Sequence, residues 1–205
     1  MTAEAAKVRK GRKFDQVVCG ARDIFLRDGY EGASVDDIAR AAGVSKATLY
    51  NYFPDKRLLF LEVATGQCQF QTDEVLGSVD LTRPPREVLP VAARSYMRFV
   101  LSPLGQSIFR VCVSETERFP EIGREFFECG PKLVHTYLVA YLQGAVTRGE
   151  AAIEDLDLAA DQFAQLCKAG LWDKLAFGIK DSYDEAELDR VVDGAVDMFM
   201  ARYGT

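Results

Sequence analysis

Apolar residues recur every three or four positions through most of the chain, and no stretch alternates apolar and polar residues as strands joined by hairpin turns do. This pattern predicts an all-α protein of nine or ten helices. Proline, glycine and serine positions bound the predicted helices at 13–30, 35–42, 46–53, 58–77, 86–101, 104–117, 120–148, 157–178 and 184–203. Because Gly130 and Pro131 interrupt the longest of these, we expect it to kink or split there.

Two short helices separated by a glycine form the most specific local pattern. Ser34 and Ser45 each precede a helical run, where a serine hydroxyl accepts a backbone N–H as an N-cap. Gly43 lies where the first helix must end with a residue of positive φ, and Pro54 ends the second helix. The first helix has one apolar face: Val35, Ile38, Ala39 and Ala42. Since Ser45 follows only two residues after Gly43, a sharp turn joins the helices in a helix-turn-helix.

The second short helix is predicted to present a polar and aromatic surface. Leu49 and Phe53 lie one turn apart and are expected to face the core. The rest of the helix surface carries Lys46, Ala47, Thr48, Tyr50 and Tyr52. These residue types suit base edges and phosphates, and one α-helix fits the DNA major groove. The alternative interpretation is a packed helical hairpin that does not bind DNA.

Residues from about 13 to 60 resemble the N-terminal domain of the TetR family of transcriptional repressors, and the resemblance includes a Leu-Tyr-x-Tyr-Phe-x-x-Lys signature. The matching residues are Phe25, Gly29, Tyr30, Ser34, Val35, Ile38, Ala39, Ala42, Gly43, Val44, Ser45, Thr48, Leu49, Tyr50, Tyr52, Phe53, Lys56 and Leu59. A later stretch is similar to the AefR-like branch of that family and comprises 114–122, Phe126-Phe127 and Gly130-Pro131.

The resemblance implies a DNA-binding domain over 13–57 and a ligand-binding and dimerisation domain over 58–205, and the basic composition of residues 1–12 predicts a flexible arm before them. By resemblance, Lys46, Ala47 and Tyr50 face bases. The residues expected to contact phosphates or to fix the docked helix are Ser34, Ser45, Thr48, Tyr52 and Lys56. The implied protein is a homodimer that represses transcription from a near-palindromic operator in double-stranded DNA until an unknown small-molecule effector binds. Activation in place of repression stays open.

The resemblance also implies that the middle helices enclose a small-molecule cavity and that the last two helices pair with a second subunit. The cavity candidates are bulky residues of the middle helices: Tyr96, Phe99, Phe109, Cys112, His135, Tyr137, Tyr141 and Trp172. The interface candidates are apolar residues of the last helices: Phe163, Leu166, Leu171, Leu188, Val192, Ala195, Val196 and Phe199. All of these residue types also fill ordinary helical cores, and that alternative stays open.

Positive charge is concentrated early in the chain, although the net charge is −6. Residues 1–60 hold 11 Lys and Arg against 8 Asp and Glu, whereas the later residues hold 14 against 23. The densest group comprises Lys7, Arg9, Lys10, Arg12 and Lys13. This arm is expected either to contact DNA phosphates or a minor groove, or to be a solvated, frayed terminus.

Motifs of other protein classes are missing from the sequence. There is no G-x-S-x-G, no phosphate-binding glycine loop and no H-E-x-x-H, so no enzyme is predicted. With one histidine and five cysteines that form no C-x-x-C pair, we expect no metal, no cofactor and reduced thiols. The chain lacks a long apolar run and a signal-peptide core, which predicts a soluble, cytoplasmic protein with no membrane partner. Two alternatives stay open, an all-helical protein-interaction scaffold and a regulator that responds to thiol oxidation.

Overall fold

The computed structural model describes residues 11–205, and this part of the chain is built from helices. They are α1 (Arg12–Gly32), α2 (Val35–Ala41), α3 (Lys46–Tyr52), α4 (Lys56–Ser78), α5 (Pro85–Leu101), α6 (Pro103–Glu115), α7 (Pro120–Cys129), α8 (Pro131–Thr147), α9 (Leu156–Leu166), α10 (Trp172–Ala176) and α11 (Glu185–Tyr203). Ten of them have seven residues or more, and α10 is a short helix of five residues. The prediction of an all-α fold is confirmed.

Two of the predicted helices are divided in the structure. The run over 120–148 separates into α7 and α8 at Gly130, as expected for a glycine followed by a proline. The run over 157–178 separates into α9 and α10, because the chain turns before Trp172 and Gly170 adopts a φ of 74°. Apolar spacing continues through this turn, so periodicity alone does not reveal the break.

The chain forms two compact units that divide within α4, between Gly66 and Gln67. The sequence analysis placed this boundary earlier, where α4 begins. The first turns of α4 belong to the first unit because Phe60 packs edge-on against Phe25 and Tyr30, each with ring centroids 4.9 Å apart. No helix in residues 11–205 combines the length and apolarity that a membrane crossing requires.

Residues of α1 to α4 form the core of the first unit. The buried face of α1 comprises Phe14, Val17, Gly20, Ala21, Ile24 and Phe25. Gly20 allows α1 and the end of α2 to approach closely, since a Cβ at this position would lie only 2.6 Å from the backbone nitrogen of Ala42. The first part of the predicted basic arm, Lys7 to Lys10, lies outside the described residues, whereas Arg12 and Lys13 form the start of α1.

Helices α5, α8, α9 and α11 supply most of the core of the second unit. Among its most deeply buried side chains are Leu89, Met97, Leu142, Leu188 and Phe199. Phe163 of α9 packs edge-on against Phe199 of α11, with ring centroids 5.2 Å apart. Arg94 of α5 forms ion pairs with Asp189 and Asp193 of α11. These contacts hold α5, α9 and α11 against one another in the core of the second unit.

Candidate nucleic-acid interface and ligand cavity

Serine caps hold the two short helices in place. The Ser34 hydroxyl accepts the backbone N–H of Asp37 at 3.1 Å, and the Ser45 hydroxyl accepts that of Thr48 at 3.1 Å. Between the helices Gly43 has a φ of 64°, in the left-handed region that favours glycine. The structure therefore confirms the two caps and the glycine turn expected from the sequence.

Helix α3 buries one side and leaves the opposite side exposed. The Leu49 side chain is 1% exposed and Phe53, which follows the helix, is 6% exposed. On the other side Lys46 and Ala47 are exposed, and Tyr50 is an exposed aromatic residue. A helix supported from below by a buried leucine and phenylalanine keeps this outer surface rigid and accessible to a duplex.

Lys46 and Thr48, two of the DNA-contact candidates on α3, have side-chain partners within the first unit. The Lys46 Nζ lies 2.8 Å from an Asp36 carboxylate oxygen, and this hydrogen-bonded ion pair raises the pKa of Lys46. Thr48 is half-buried, and its Oγ1 lies 2.8 Å from Ser45 Oγ. For Lys46 to contact DNA, as predicted, its ammonium would have to leave Asp36, because a carboxylate next to a phosphate or a guanine O6 is repelled by it.

Lys56, the first residue of α4, is held by backbone carbonyl groups of the same unit. Its Nζ donates to the carbonyl oxygens of Tyr30 at 2.8 Å and Ala33 at 3.1 Å, and it lies 4.3 Å from the centroid of the Tyr30 ring. Tyr52 is half-buried, with its ring edge-on to Phe14 at 5.9 Å. The geometry thus gives Lys56 and Tyr52 structural contacts, and their phosphate contacts stay predictions.

A cavity of about 260 Å³ lies inside the second unit. Six of the eight predicted cavity residues line it: Tyr96, Phe99, Phe109, Tyr137, Tyr141 and Trp172. Cys112 and His135 do not, which corrects the prediction. Cys112 is buried in protein at 2% exposure, and the His135 ring on α8 is directed at α9, with its Nε2 3.6 Å from Asp157 and 3.7 Å from Asp161 carboxylate oxygens.

Much of the cavity wall comes from residues that sequence reasoning missed. The second half of α4 contributes Cys68, Gln71, Thr72, Val75 and Leu76. The segment after α9 contributes Lys168, and α9 itself contributes Phe163, which the sequence analysis placed at a subunit interface. The available signal for α4 was spacing, because these five residues fall at i, i+3, i+4, i+7 and i+8 and so share one helix face.

Models of known protein families match both units. A model described as "Bacterial regulatory proteins, tetR family" matches residues 18–63. A second model, described as "AefR-like transcriptional repressor, C-terminal domain", matches residues 87–205, which is more than half of the chain. The chain belongs to the TetR family. It is therefore a helix-turn-helix transcriptional regulator, as the exposed α3 and the internal cavity indicate.

Individual relatives agree with this assignment. A crystal structure of a TetR-family regulator from Mesorhizobium loti is 26% identical, covers 97% of this chain and 100% of its own, and has a TM-score of 0.82. The structure of the Flavonoid-responsive Regulator FrrA is 29% identical, covers 95% of this chain and 98% of its own, and has a TM-score of 0.69. The transcriptional activator FasR of Mycolicibacterium smegmatis is 32% identical over 85 residues, which are 42% of this chain and 39% of FasR. The match thus spans about two fifths of FasR.

The residues predicted for a TetR-type subunit interface pack within a single protomer, and their role at an interface stays a prediction. Seven of them are buried in the core: Phe163, Leu171, Leu188, Val192, Ala195, Val196 and Phe199. The eighth, Leu166, is half-buried against the same core. An apolar stripe shows that a helix face is buried but does not show against what, and here the other helices of the protomer cover it.

The thiols of this TetR-family regulator are mostly buried and protonated. Burial raises the pKa of Cys112 and of Cys167 to about 12. A hydrogen bond with Cys129, together with burial, raises the pKa of Cys68. Cys19 is the exposed cysteine. Because thiolates react with oxidants and buried protonated thiols do not, these environments oppose a redox-sensing role for the cavity thiols.

Proposed function

We propose that this TetR-family protein is a homodimeric repressor that binds a near-palindromic operator through α3 and leaves it when a small molecule occupies the cavity of the second unit. The observation that carries the proposal is the exposed surface of α3, made by Lys46, Ala47 and Tyr50 above a buried Leu49. An exposed tyrosine and lysine on a rigid, capped helix supply the apolar contact and the hydrogen bonds that base edges require.

In the proposed complex, Lys46, Ala47 and Tyr50 contact bases. The Ser34 and Ser45 hydroxyls cap α2 and α3, and the free N–H groups of such helix N-termini can also donate to phosphates. Thr48, Tyr52 and Lys56 complete the docking surface in this proposal. Because the Lys56 ammonium already holds two backbone carbonyls, its contribution comes largely through the position of the helices.

Repression rather than activation is proposed because the model that matches residues 87–205 describes a repressor domain. FasR, an activator by its name, is similar over only 39% of its own length. A repressor needs only to occupy its operator, whereas an activator must also contact the transcription machinery. The surface of α3 is sufficient for operator occupancy, so repression needs no further interaction surface.

Release by a ligand requires two states of the dimer that differ in operator affinity, with the ligand preferring the weaker-binding state. Helix α4 connects the cavity to the first unit within one continuous element. Its first turns carry Lys56 and Phe60, and its later turns carry the cavity residues Cys68 and Thr72. A ligand that displaces the later turns of α4 thereby acts on the first unit through the backbone of a single helix.

For the subunit interface we propose the outer faces of α9 and α11, since the inner faces are already covered. Leu158 of α9 is 50% exposed and Met198 of α11 is 64% exposed. A twofold dimer places two copies of α3 about 34–36 Å apart, one turn of the duplex, or at a multiple of that distance.

Selection of duplexes from a random library with the purified full-length chain tests the proposal. The expected result is an inverted repeat whose half-sites lie about 10–10.5 base pairs apart or at a multiple of that spacing. Lys46→Ala should weaken binding to the selected duplex by about 5- to 150-fold, corresponding to the loss of one good base contact. The exposed Lys174 of α10 offers a matched control, and Lys174→Ala should bind as the unchanged protein does. Failure to select any sequence, or equal effects of the two substitutions, would refute the proposal.

A further inference from the structure

Among the described residues, one basic side chain lines the cavity of the second unit. Its wall is otherwise made of aliphatic and aromatic residues with a few hydroxyl, amide and thiol groups. Among the described residues that line it, Lys168 is the only Lys, Arg, His, Asp or Glu. The cavity therefore provides one cationic group and no carboxylate to neutralise it.

The position of Lys168 is fixed by the turn between α9 and α10. Its backbone N–H donates to Gln165 at 3.0 Å, and its carbonyl accepts the N–H of Trp172 at 3.2 Å. The side chain is half-buried, and its Nζ lies 5.9 Å from the centroid of the Trp172 ring. Within residues 11–205 the Lys168 ammonium forms no ion pair and no side-chain hydrogen bond.

A partly desolvated ammonium without a counter-ion is unfavourable, and burial accordingly lowers the pKa of Lys168. The Tyr96 hydroxyl, also on the cavity wall, forms no hydrogen bond with the described residues. Burial raises the pKa of Tyr96 to about 12, with a further contribution from Cys167, the neighbour of Lys168 in sequence. Tyr96 therefore stays protonated and can donate a hydrogen bond. The cavity thus offers two donors that lack an acceptor.

We propose that the ligand of this cavity is an amphipathic monocarboxylic acid, with an apolar body among the aromatic side chains and a carboxylate that pairs with Lys168, while Tyr96 is a further hydrogen-bond donor on the cavity wall. The inference rests on the proposed function, since it takes the cavity to be the effector site. A volume of about 260 Å³ lies just below the range of about 300–1,000 Å³ of drug-sized sites, which favours a compact ligand. Octanoate, 1-octanol and octylamine have similar unbranched apolar chains, and their head groups are respectively anionic, neutral and cationic.

Titration of the full-length chain with these three compounds tests the inference without DNA. Trp172 is the only tryptophan in the sequence and lines the cavity, so its fluorescence reports binding. We expect octanoate to bind at least about tenfold more tightly than either other compound, as for a hydrogen bond between charged groups. Lys168→Met should weaken octanoate binding about 10- to 100-fold and leave octanol binding within about threefold.

Two further variants distinguish the loss of the Lys168 charge from a general disturbance of the fold. Lys168→Arg should keep the preference for octanoate, because it keeps the positive charge. Lys174→Met, which removes an exposed lysine that does not line the cavity, should bind as the unchanged protein does. Equal affinity for the acid and the alcohol, tighter binding of the amine, no binding of octanoate, or an unaffected Lys168→Met would each overturn the inference. If octanoate binds with the expected preference yet does not release an operator, the inference is supported and the proposed function is contradicted.

Discussion

Gly20 provides a quantitative test of how α1 and α2 are packed. In Gly20→Ala the new Cβ would lie 2.6, 2.8 and 2.9 Å from the N, Cα and Cβ atoms of Ala42. Carbon atoms in contact prefer separations of about 3.5–4.0 Å, so the end of α2 must move by roughly 1 Å. Because two of the three atoms belong to the backbone, a rotamer change cannot relieve the overlap. Overpacking of this kind costs about 1–3 kcal/mol.

Gly66 of α4 gives the matched control. It is also inside a helix, but a Cβ there would meet no atom within 4 Å. Replacing a helical glycine by alanine stabilises a helix by about 0.8–1.0 kcal/mol, and this gain applies to both variants. The free energy of unfolding of Gly66→Ala minus that of Gly20→Ala therefore isolates the packing cost, about 1–3 kcal/mol. For a chain of this size that difference corresponds to a Tm gap of roughly 2–12 °C.

Thermal and urea denaturation of the full-length variants, followed by helical circular dichroism, measures this difference. Gly66→Ala should melt at or above the temperature of the unchanged protein, and Gly20→Ala should melt below Gly66→Ala. Equal stability of the two variants would show that α1 and α2 are not in the close contact described. Gly20→Ala should also weaken operator binding, because the displaced α2 carries the turn that positions α3.

Three further outcomes are expected. Tyr50→Ala should reduce the preference for the selected operator over random duplex by about 1–3 kcal/mol in competitive binding, while the melting temperature changes little, and unchanged discrimination would remove Tyr50 from the base contacts. Lys56→Met should lower the unfolding free energy by about 1–3 kcal/mol because the carbonyls of Tyr30 and Ala33 lose their donor; an unchanged stability with a shallower salt dependence of DNA binding would instead indicate a phosphate contact. Iodoacetamide at pH 8 should modify the exposed Cys19 first, and mass spectrometry of peptides measures the order of modification. Cys68, Cys112 and Cys167 should be protected, because a raised thiol pKa reduces the fraction of reactive thiolate at a given pH.

The helix-turn-helix could be predicted in detail because its determinants are local. Ser34 and Ser45 act as caps on residues three positions away, and Gly43 takes its left-handed conformation within the turn itself. Leu49 is buried and Tyr50 exposed as helical spacing requires. The contacts of Lys56 could not be predicted, because Tyr30 and Ala33 lie 26 and 23 residues away along the chain.

The subunit interface could not be predicted from the same periodicity. Leu188, Val192 and Phe199 recur on one face of α11, and the structure uses that face for the core of the protomer. Periodicity reports the amount of apolar surface that a helix must bury, and both a neighbouring helix and a partner subunit satisfy that requirement. The exposed Leu158 and Met198 of the proposed interface lie among other apolar residues of their helices, so the sequence does not mark them as exposed.

Helix α4 explains why the DNA-binding surface is easier to predict than the ligand. Its first turns bury Phe60 in the first unit, and its later turns contribute Thr72 to the cavity wall. Because α4 packs into the core of the first unit and also lines the cavity of the second, it shows no single apolar face along its length. Its sequence therefore predicts a helix but does not predict that the helix lines a cavity. The polar groups of the cavity likewise come from separate segments, with Thr72 on α4, Tyr96 on α5 and Lys168 after α9. The proposed base contacts lie within the seven consecutive residues of α3, whereas the chemistry that selects a ligand exists only once these separate segments have folded together.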